Sequence, residues 1–149
     1  MKTTFLQSVF KIVLLLIGIT TGAGCDDSDK WETEGMDVTC QLVKIVENGT
    51  EVEIPITPLL TLKKDQTFEG GAGCNSIQGI YRHNANNGRF IIEDLTTTEL
   101  GRISPYSEAE STYLGYFRKI SSFKQEGGNI KFYFGKDSYL EYKLTSKRT

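Results

Sequence analysis

The sequence predicts a mainly β domain with one helix, a curled antiparallel sheet of about eight short strands closing into a small barrel. Three observations support this. Short apolar runs alternate with turns rich in Gly and Asn, as in successive hairpins. Phe and Tyr number 8 and 7, whereas Met and His number 2 and 1, a mixture that suits half-buried pleated surfaces. A helical period occurs only once along the chain. Closure into a barrel would hide the edge strands.

The first half of the domain is a series of hairpins. Asn48-Gly49 is a two-residue turn signal, and Pro55 should cut the following strand short. The glycine-rich run at 70–75 predicts a corner where backbones approach closely. Another turn is expected at 84–88, where Asn is frequent. Strands are predicted between these turns at 42–46, 52–54, 59–62, 80–81 and 90–92, and another is predicted to run through Phe68.

One amphipathic helix is predicted over residues 107–119. Ser107 followed three residues later by Glu110 is the signature of a capping box, in which both side chains satisfy backbone N–H groups of the first turn. Apolar side chains then recur at helical spacing, and we expect them to contact the core rather than a ligand. These side chains are Ala109, Tyr113, Tyr116, Phe117 and Ile120.

The last strands show strict alternation. Strand character resumes at Phe123, and turns are predicted at 127–129 and 135–137. Such alternation predicts one buried face and one wet face. The residues predicted to face inward are Ile130, Phe132, Phe134, Leu140, Tyr142 and Leu144, and those opposite them on the final strand are Tyr139, Glu141 and Lys143.

Residues 1–24 have the composition of an export signal. The apolar run at 12–19 is about half of the roughly 20 residues that a membrane-spanning helix needs. The box Gly22-Ala23-Gly24-Cys25 resembles that of bacterial lipoproteins, with Gly22 where Leu is usual. That resemblance implies cleavage before Cys25 and lipidation of its thiol. The alternatives are an ordinary cleaved signal with an incidental cysteine, or a short uncleaved anchor.

Residues 25–36 are then expected to form a polar, acidic tether. The eleven residues after Cys25 could reach at most roughly 36 Å at about 3.3 Å each. The acidic stretch at 26–29 either resembles a signal for sorting to the cell surface or simply keeps the tether solvated. We therefore expect a lipid-anchored protein of the cell envelope, in the outer membrane. The periplasmic face and the cell surface both remain open.

Composition argues against several functions. Without residues 1–24, about 125 residues remain, enough for one domain. Of the 17 basic residues, removal of Lys2 and Lys11 leaves 15 against 19 acidic residues, a formal net charge of −4. No basic face is then available for phosphates, so we expect no nucleic-acid partner. His83, the only histidine, is expected to be solvated beside a turn, and we expect no enzyme, cofactor or metal.

Two cysteines, Cys40 and Cys74, fall within the domain. Disulfides persist in the compartments that exported proteins reach, so a bridge between them is one alternative. The other is a pair of buried thiols that act as small hydrophobes.

The stretch Phe68-Glu69-Gly70-Gly71-Ala72-Gly73-Cys74-Asn75, followed by Gly79-Ile80-Tyr81, resembles the META domain of HslJ-like lipoproteins. The resemblance covers about residues 37–146, and its motif residues here are Gly73, Cys74, Asn75, Gly79 and Tyr81. Weaker matches are Leu95 with the threonines at 96–98, and Glu110, Leu114 and Phe117. The resemblance implies the barrel-like fold, an envelope location and an association with envelope stress.

Two positions depart from the family's pattern. Cys40-Gln41-Leu42 stands where members often have Trp-x-Leu. Many members also have a second cysteine after the threonine-rich segment, which can pair with the cysteine of Gly-Cys-Asn. This chain has Leu100-Gly101-Arg102 at that place, without a cysteine. Cys40 could then be the partner of Cys74 instead.

Two functions follow as hypotheses. The first is a monomeric, non-enzymatic protein bound to a membrane through its lipid, with a role in envelope stress protection or in binding an envelope protein. It is favoured because abundant Phe and Tyr should fill the barrel interior. The second is a binding barrel for a small apolar or sugar-like ligand, with Tyr81, Tyr106 and Tyr139 around one opening.

Overall fold

A computed structural model describes residues 37–99 and 106–148. The predicted signal peptide, the lipidation site Cys25, the tether and the Leu100-Gly101-Arg102 departure lie outside these residues. No helix within the described ranges is long and apolar enough to cross a membrane.

The two described ranges contain nine strands and one helix. In chain order these are β1 (Asp37–Glu47), β2 (Thr50–Glu51), β3 (Leu59–Leu62), β4 (Thr67–Gly71), β5 (Ser76–Asn84), β6 (Arg89–Thr97), α1 (Ser107–Phe117), β7 (Ser122–Glu126), β8 (Asn129–Gly135) and β9 (Ser138–Arg148). The predicted mainly β class with one helix is confirmed, and α1 ends two residues before the predicted position.

The strands form one antiparallel sheet that closes on itself. Their order is β2-β1-β3-β4-β5-β6-β7-β8-β9, and β1 also pairs with β9 from Asp37↔Arg148 to Val46↔Tyr139. The predicted curled sheet is therefore confirmed as a ring in which first and last strands meet. The shortest strand pairing in the ring is that between β6 and β7, whose register contains the single pair Arg89↔Ser122.

One predicted strand is wrong. Residues 52–54 were expected to continue the first hairpin, but β2 ends at Glu51. The amide of Val52 still donates to the carbonyl of Ile45 at 2.9 Å, after which the chain leaves the sheet. Pro55 has no N–H for the ladder and Pro58 follows it, so this segment crosses to β3 as irregular structure.

Large side chains fill the ring. Phe90 stacks on Tyr81 with ring centroids 5.1 Å apart and contacts Phe132 at 4.7 Å. From α1, Phe117 meets the ring of Phe68 edge-on at 5.5 Å. All of these side chains are at most 2% exposed. The helix therefore closes part of the ring with its apolar face, as its spacing predicted.

A buried pair of hydroxyl groups also links α1 to the sheet. The hydroxyl oxygens of Tyr113 and Tyr142 lie 2.7 Å apart, and both side chains are fully buried. Burial raises the pKa of both phenols, so both stay protonated, and one hydroxyl donates to the other. The pair satisfies two polar groups inside an otherwise apolar core.

Successive connections of an antiparallel ring alternate between its two ends. One end carries the start of β1 at Asp37, the end of β9 and the turns at 63–66, 85–88 and 127–128. The opposite end carries α1 and the connections at 48–58, 72–75 and 136–137. The chain therefore enters the ring at the end opposite α1, so the surface around α1 is far from the point of entry.

Candidate functional site

The Gly-Cys-Asn corner lies between β4 and β5. The amide of Ala72 donates to the carbonyl of Asn75 at 2.8 Å and closes the turn. Gly73 has a φ of +137°, a conformation that side chains with a Cβ rarely adopt. This turn leaves the next two amides, those of Cys74 and Asn75, pointing toward α1.

Glu110 of α1 holds this corner. Its Oε2 accepts hydrogen bonds from the amide of Cys74 at 2.9 Å and from the amide of Asn75 at 3.0 Å. Its Oε1 accepts another from Nδ2 of Asn75. Glu110 is only 6% exposed, and a buried carboxylate requires such donors in place of water. We call this arrangement the Glu110 clamp.

The predicted capping box is therefore wrong. Tyr106 occupies the N-cap, no side chain makes a cap hydrogen bond, and Ser107 is the first helical residue. Glu110 turns away from the helix start because the corner offers three donors, whereas a cap would offer one backbone N–H.

The threonine-rich end of β6 joins the same cluster. The hydroxyl of Thr98 accepts from the amide of Ser76 at 3.0 Å and lies 3.4 Å from Oδ1 of Asn75. The amide of Thr98 donates in turn to the carbonyl of Ser76 at 3.0 Å. Three segments that are distant in sequence, near 75, 98 and 110, are thus tied together at the α1 end of the ring.

The remaining motif residues, Gly79 and Tyr81, lie further along β5. Gly79 lies so close to the backbone of β6 that a Cβ there would be 2.0 Å from the carbonyl oxygen of Asp94. Tyr81 is 2% exposed, and its hydroxyl donates to the carbonyl of Lys63 at 2.8 Å. Both residues support the fold rather than a cleft.

Cys40 and Cys74 are not bridged. Cys40 is a free thiol, fully buried in the core, and its sulfur donates weakly to the carbonyl of Leu60 at 3.5 Å. Cys74 is half-buried at the corner. Cys40 is therefore buried as the second alternative expects, whereas Cys74 is not. Burial raises the pKa of the Cys40 thiol from 9.0 to about 12.

We expect stability to fall as the pH rises above 9. Between pH 9 and 12 the unfolded Cys40 thiol loses its proton and the folded one keeps it, so each pH unit costs about 1.4 kcal/mol. Above pH 10, Tyr113 and Tyr142 add to the loss in the same direction. Urea unfolding at pH 8 to 10 measures the effect. The Cys40→Ala variant should show a flatter slope between pH 9 and 10, and an unchanged slope would contradict the assignment.

His83 differs from its predicted environment. It was expected to be solvated, but it is half-buried, with its ring centroid 5.6 Å from that of Tyr81 and 6.4 Å from that of Phe123. Burial lowers the pKa of its imidazole. Among the described residues, no group of three or more His, Cys, Asp or Glu side chains is placed to hold a metal ion.

The three tyrosines that were predicted around one opening are dispersed. Tyr81 is in the core, whereas Tyr106 is 44% exposed and lines a cleft of about 370 Å³ with Leu59 and Cys74. Tyr139 lies on the outside of β9 and lines a different cleft, of about 520 Å³, together with Tyr133. Sequence reasoning missed Tyr133, although the alternation of Phe132 and Phe134 would have placed it outward.

Residues 35–146 match the family model described as META domain. The ring is similar to the NMR structure of a protein from Burkholderia xenovorans, at 18% identity and a TM-score of 0.61, over 73% of this chain and 82% of that one. A DUF4847 family protein from Bacteroides vulgatus matches at 17% identity and a TM-score of 0.46, over 58% and 57% of the two chains. A search of curated proteins gives no match. At these identities, the likeness to the Burkholderia protein shows the fold alone.

Proposed function

Because the chain belongs to the META domain family, we propose that it is a monomeric, non-enzymatic binding protein of the cell envelope. A lipid on Cys25 would hold it at a membrane, and envelope stress protection would be the setting in which it binds a partner protein. One observation supports binding at the outer surface rather than inside the ring. Large buried side chains, among them Phe68, Phe90 and Phe132, occupy the inside of the ring, so a partner would meet the outer surface.

The direction of the chain supports this proposal. The first strand, β1, begins at Asp37, at the end of the ring opposite α1. A tether of residues 26–36 would reach at most roughly 36 Å from the lipid to that end. Such a tether would be joined to the end of the ring opposite α1, so it would leave α1 and the Glu110 clamp accessible to a partner.

Exposed apolar side chains favour one part of this distal surface. Leu59 is 43% exposed and Tyr106 is 44% exposed, and both line the 370 Å³ cleft beside the Gly-Cys-Asn corner. Tyrosine is enriched among the residues that anchor protein interfaces, and exposed apolar patches mark such interfaces. We therefore propose this cleft as the contact for the partner protein.

The anchor is tested by replacing Cys25 with Ala in the full chain. We expect the wild-type protein to enter the detergent phase and the variant to leave it, because acyl chains contribute about 0.8 kcal/mol per buried methylene. Intact mass should show the acyl groups on the wild type alone. The Cys74→Ala variant is the matched control and should partition like the wild type. Unchanged partitioning of Cys25→Ala would contradict the lipoprotein assignment.

The binding role is tested by crosslinking in cells. A photoreactive residue at position 106 should capture a partner protein of defined mass, and a Leu59→Ser substitution should reduce the yield. A photoreactive residue at Ile80, also exposed but outside the 370 Å³ cleft, is the control. Equal capture at positions 80 and 106 would count against this surface.

A further inference from the structure

The outer face of the sheet carries two tyrosines on neighbouring strands. Through the registers of β1, β9, β8 and β7, the Cα atoms of Val46, Tyr139, Tyr133 and Ser122 are partners across the sheet. In the adjacent row, Leu140 and Phe132 are fully buried and face inward. Because side chains alternate between the faces of a sheet, both tyrosines face outward.

The two rings contact each other, and a lysine lies over one of them. The centroids of Tyr133 and Tyr139 are 5.7 Å apart with the planes inclined at 56°. Nζ of Lys131 lies 5.2 Å from the centroid of the Tyr139 ring, and Glu126 fixes this ammonium group at 3.0 Å. These contacts restrict the rotamers of the rings before any ligand arrives, which reduces the entropy lost on binding.

Two turns complete a cleft of about 520 Å³ around these rings. The amide of Gly49 donates to the carbonyl of Asp137 at 2.8 Å, and the amide of Asn48 donates to the Ser138 hydroxyl at 2.9 Å. These bonds join the β1–β2 turn to the β8–β9 turn. The polar side chains that line the cleft are Lys44, Glu51, Lys136 and Asp137.

We propose that this cleft binds a neutral saccharide. A sugar ring has an apolar C–H face that stacks on a tyrosine ring, and hydroxyl groups that bond to ammonium and carboxylate groups at its edge. The volume lies within the range of about 300–1,000 Å³ that small-molecule sites occupy. With two lysines and two acidic residues around it, the cleft does not favour an anionic ligand.

An extended peptide fits this cleft less well. Peptides that bind sheets usually add a strand to a free edge. Here β1, β8 and β9 each have a hydrogen-bonded strand on both sides, so their backbone groups are already used. The edge strand β2, whose Glu51 lines the cleft, is only 2 residues long. A saccharide needs only the side chains, and these are what the cleft offers. The saccharide site goes beyond the proposed protein-binding role and does not require the lipid anchor.

The test is saturation-transfer difference NMR with the full chain in a phosphocholine detergent, which has no sugar headgroup. Maltotriose and chitotriose are the probes. We expect transfer to the ring C–H protons of at least one of them. In Tyr139→Leu, which keeps the apolar bulk and removes the aromatic face, the affinity should fall about tenfold. Tyr106→Leu removes an exposed tyrosine outside the 520 Å³ cleft and should bind like the wild type.

Several results would overturn the proposal. Absence of transfer to both probes would leave the tyrosine pair as a cross-strand contact that only stabilises the sheet. Unchanged binding by both Tyr139→Leu and Tyr133→Leu would place any saccharide elsewhere. A thermal unfolding midpoint measured for each variant separates lost binding from lost folding. Crosslinking to a partner protein at position 106 would persist in all of these cases, so failure here is distinct from failure of the proposed function.

Discussion

Replacing Gly79 by Ala is expected to destabilise the domain by about 3 kcal/mol, because β5 has no room for a Cβ at this position. The added carbon would lie 2.0 Å from the carbonyl oxygen of Asp94 and 2.7 Å from Cζ of Phe68. The first atom belongs to the paired backbone of β6, in the register Gly79↔Leu95. The second belongs to a ring that is 2% exposed. Neither neighbour can move without disturbing the ladder or the core.

Urea unfolding followed by circular dichroism measures this loss. Gly71→Ala is the matched control, since a Cβ on Gly71 meets no atom within 4 Å. The same substitution there should leave the free energy of unfolding unchanged or raise it by up to about 1 kcal/mol, because the unfolded chain loses freedom. Similar unfolding midpoints for the two variants would show that the close approach of β5 and β6 is not tight.

Replacing Glu110 by Ala is expected to destabilise the domain by about 3 kcal/mol. The substitution removes a buried carboxylate that accepts from two backbone amides, at 2.9 and 3.0 Å, and from the side chain of Asn75. Each bond to a charged group contributes about 1.5–3 kcal/mol, and partial solvation of the corner after the substitution offsets some of the loss. The helix and the corner would separate first, so protection of the Cys74 and Asn75 amides from hydrogen exchange should fall most.

Three further substitutions make this result specific. Glu108→Ala, an exposed position in the same helical turn, should cost less than about 0.5 kcal/mol. Glu110→Gln keeps one acceptor oxygen but adds an NH₂ donor near Nδ2 of Asn75, so it should fall between the wild type and Glu110→Ala. In a double-mutant cycle with Asn75→Ala, the losses should not add, because the two side chains share one hydrogen bond. Additive losses would mean that the clamp is not a unit.

Local patterns predicted most of the fold. Alternation from Ile130 to Leu144 placed the core face of β8 and β9, and the apolar spacing after Ser107 placed α1 with its buried face. Asn48-Gly49 forms the first turn, with φ values of 51° and 79° at its two residues. Each of these features depends on neighbours within a few residues, so it can be read from sequence order alone.

Features that depend on distant partners were not predicted. Glu110 matched a capping box because its local context fits one, but its three donors lie 35 and 36 residues away. His83 was expected at the surface because turn residues follow it, yet Tyr81 and Phe123 bring their rings beside it. The pairing of Tyr133 with Tyr139 required the β8–β9 register. Local propensity cannot specify contacts that the ring creates on closing.

Pairing of β1 with β9 has a consequence for the kinetics of folding. The hydroxyl of Thr145 donates to the carbonyl of Thr39 at 3.0 Å, across 106 positions of sequence. The ring can therefore close only after β9 has been synthesised and is free to pair with β1. Contacts of such long range must overcome a large loop entropy, and sheets that need them fold in milliseconds to seconds rather than microseconds. During that interval the edge of β1 stays open, and its unpaired backbone groups are available to another extended polypeptide before β9 arrives.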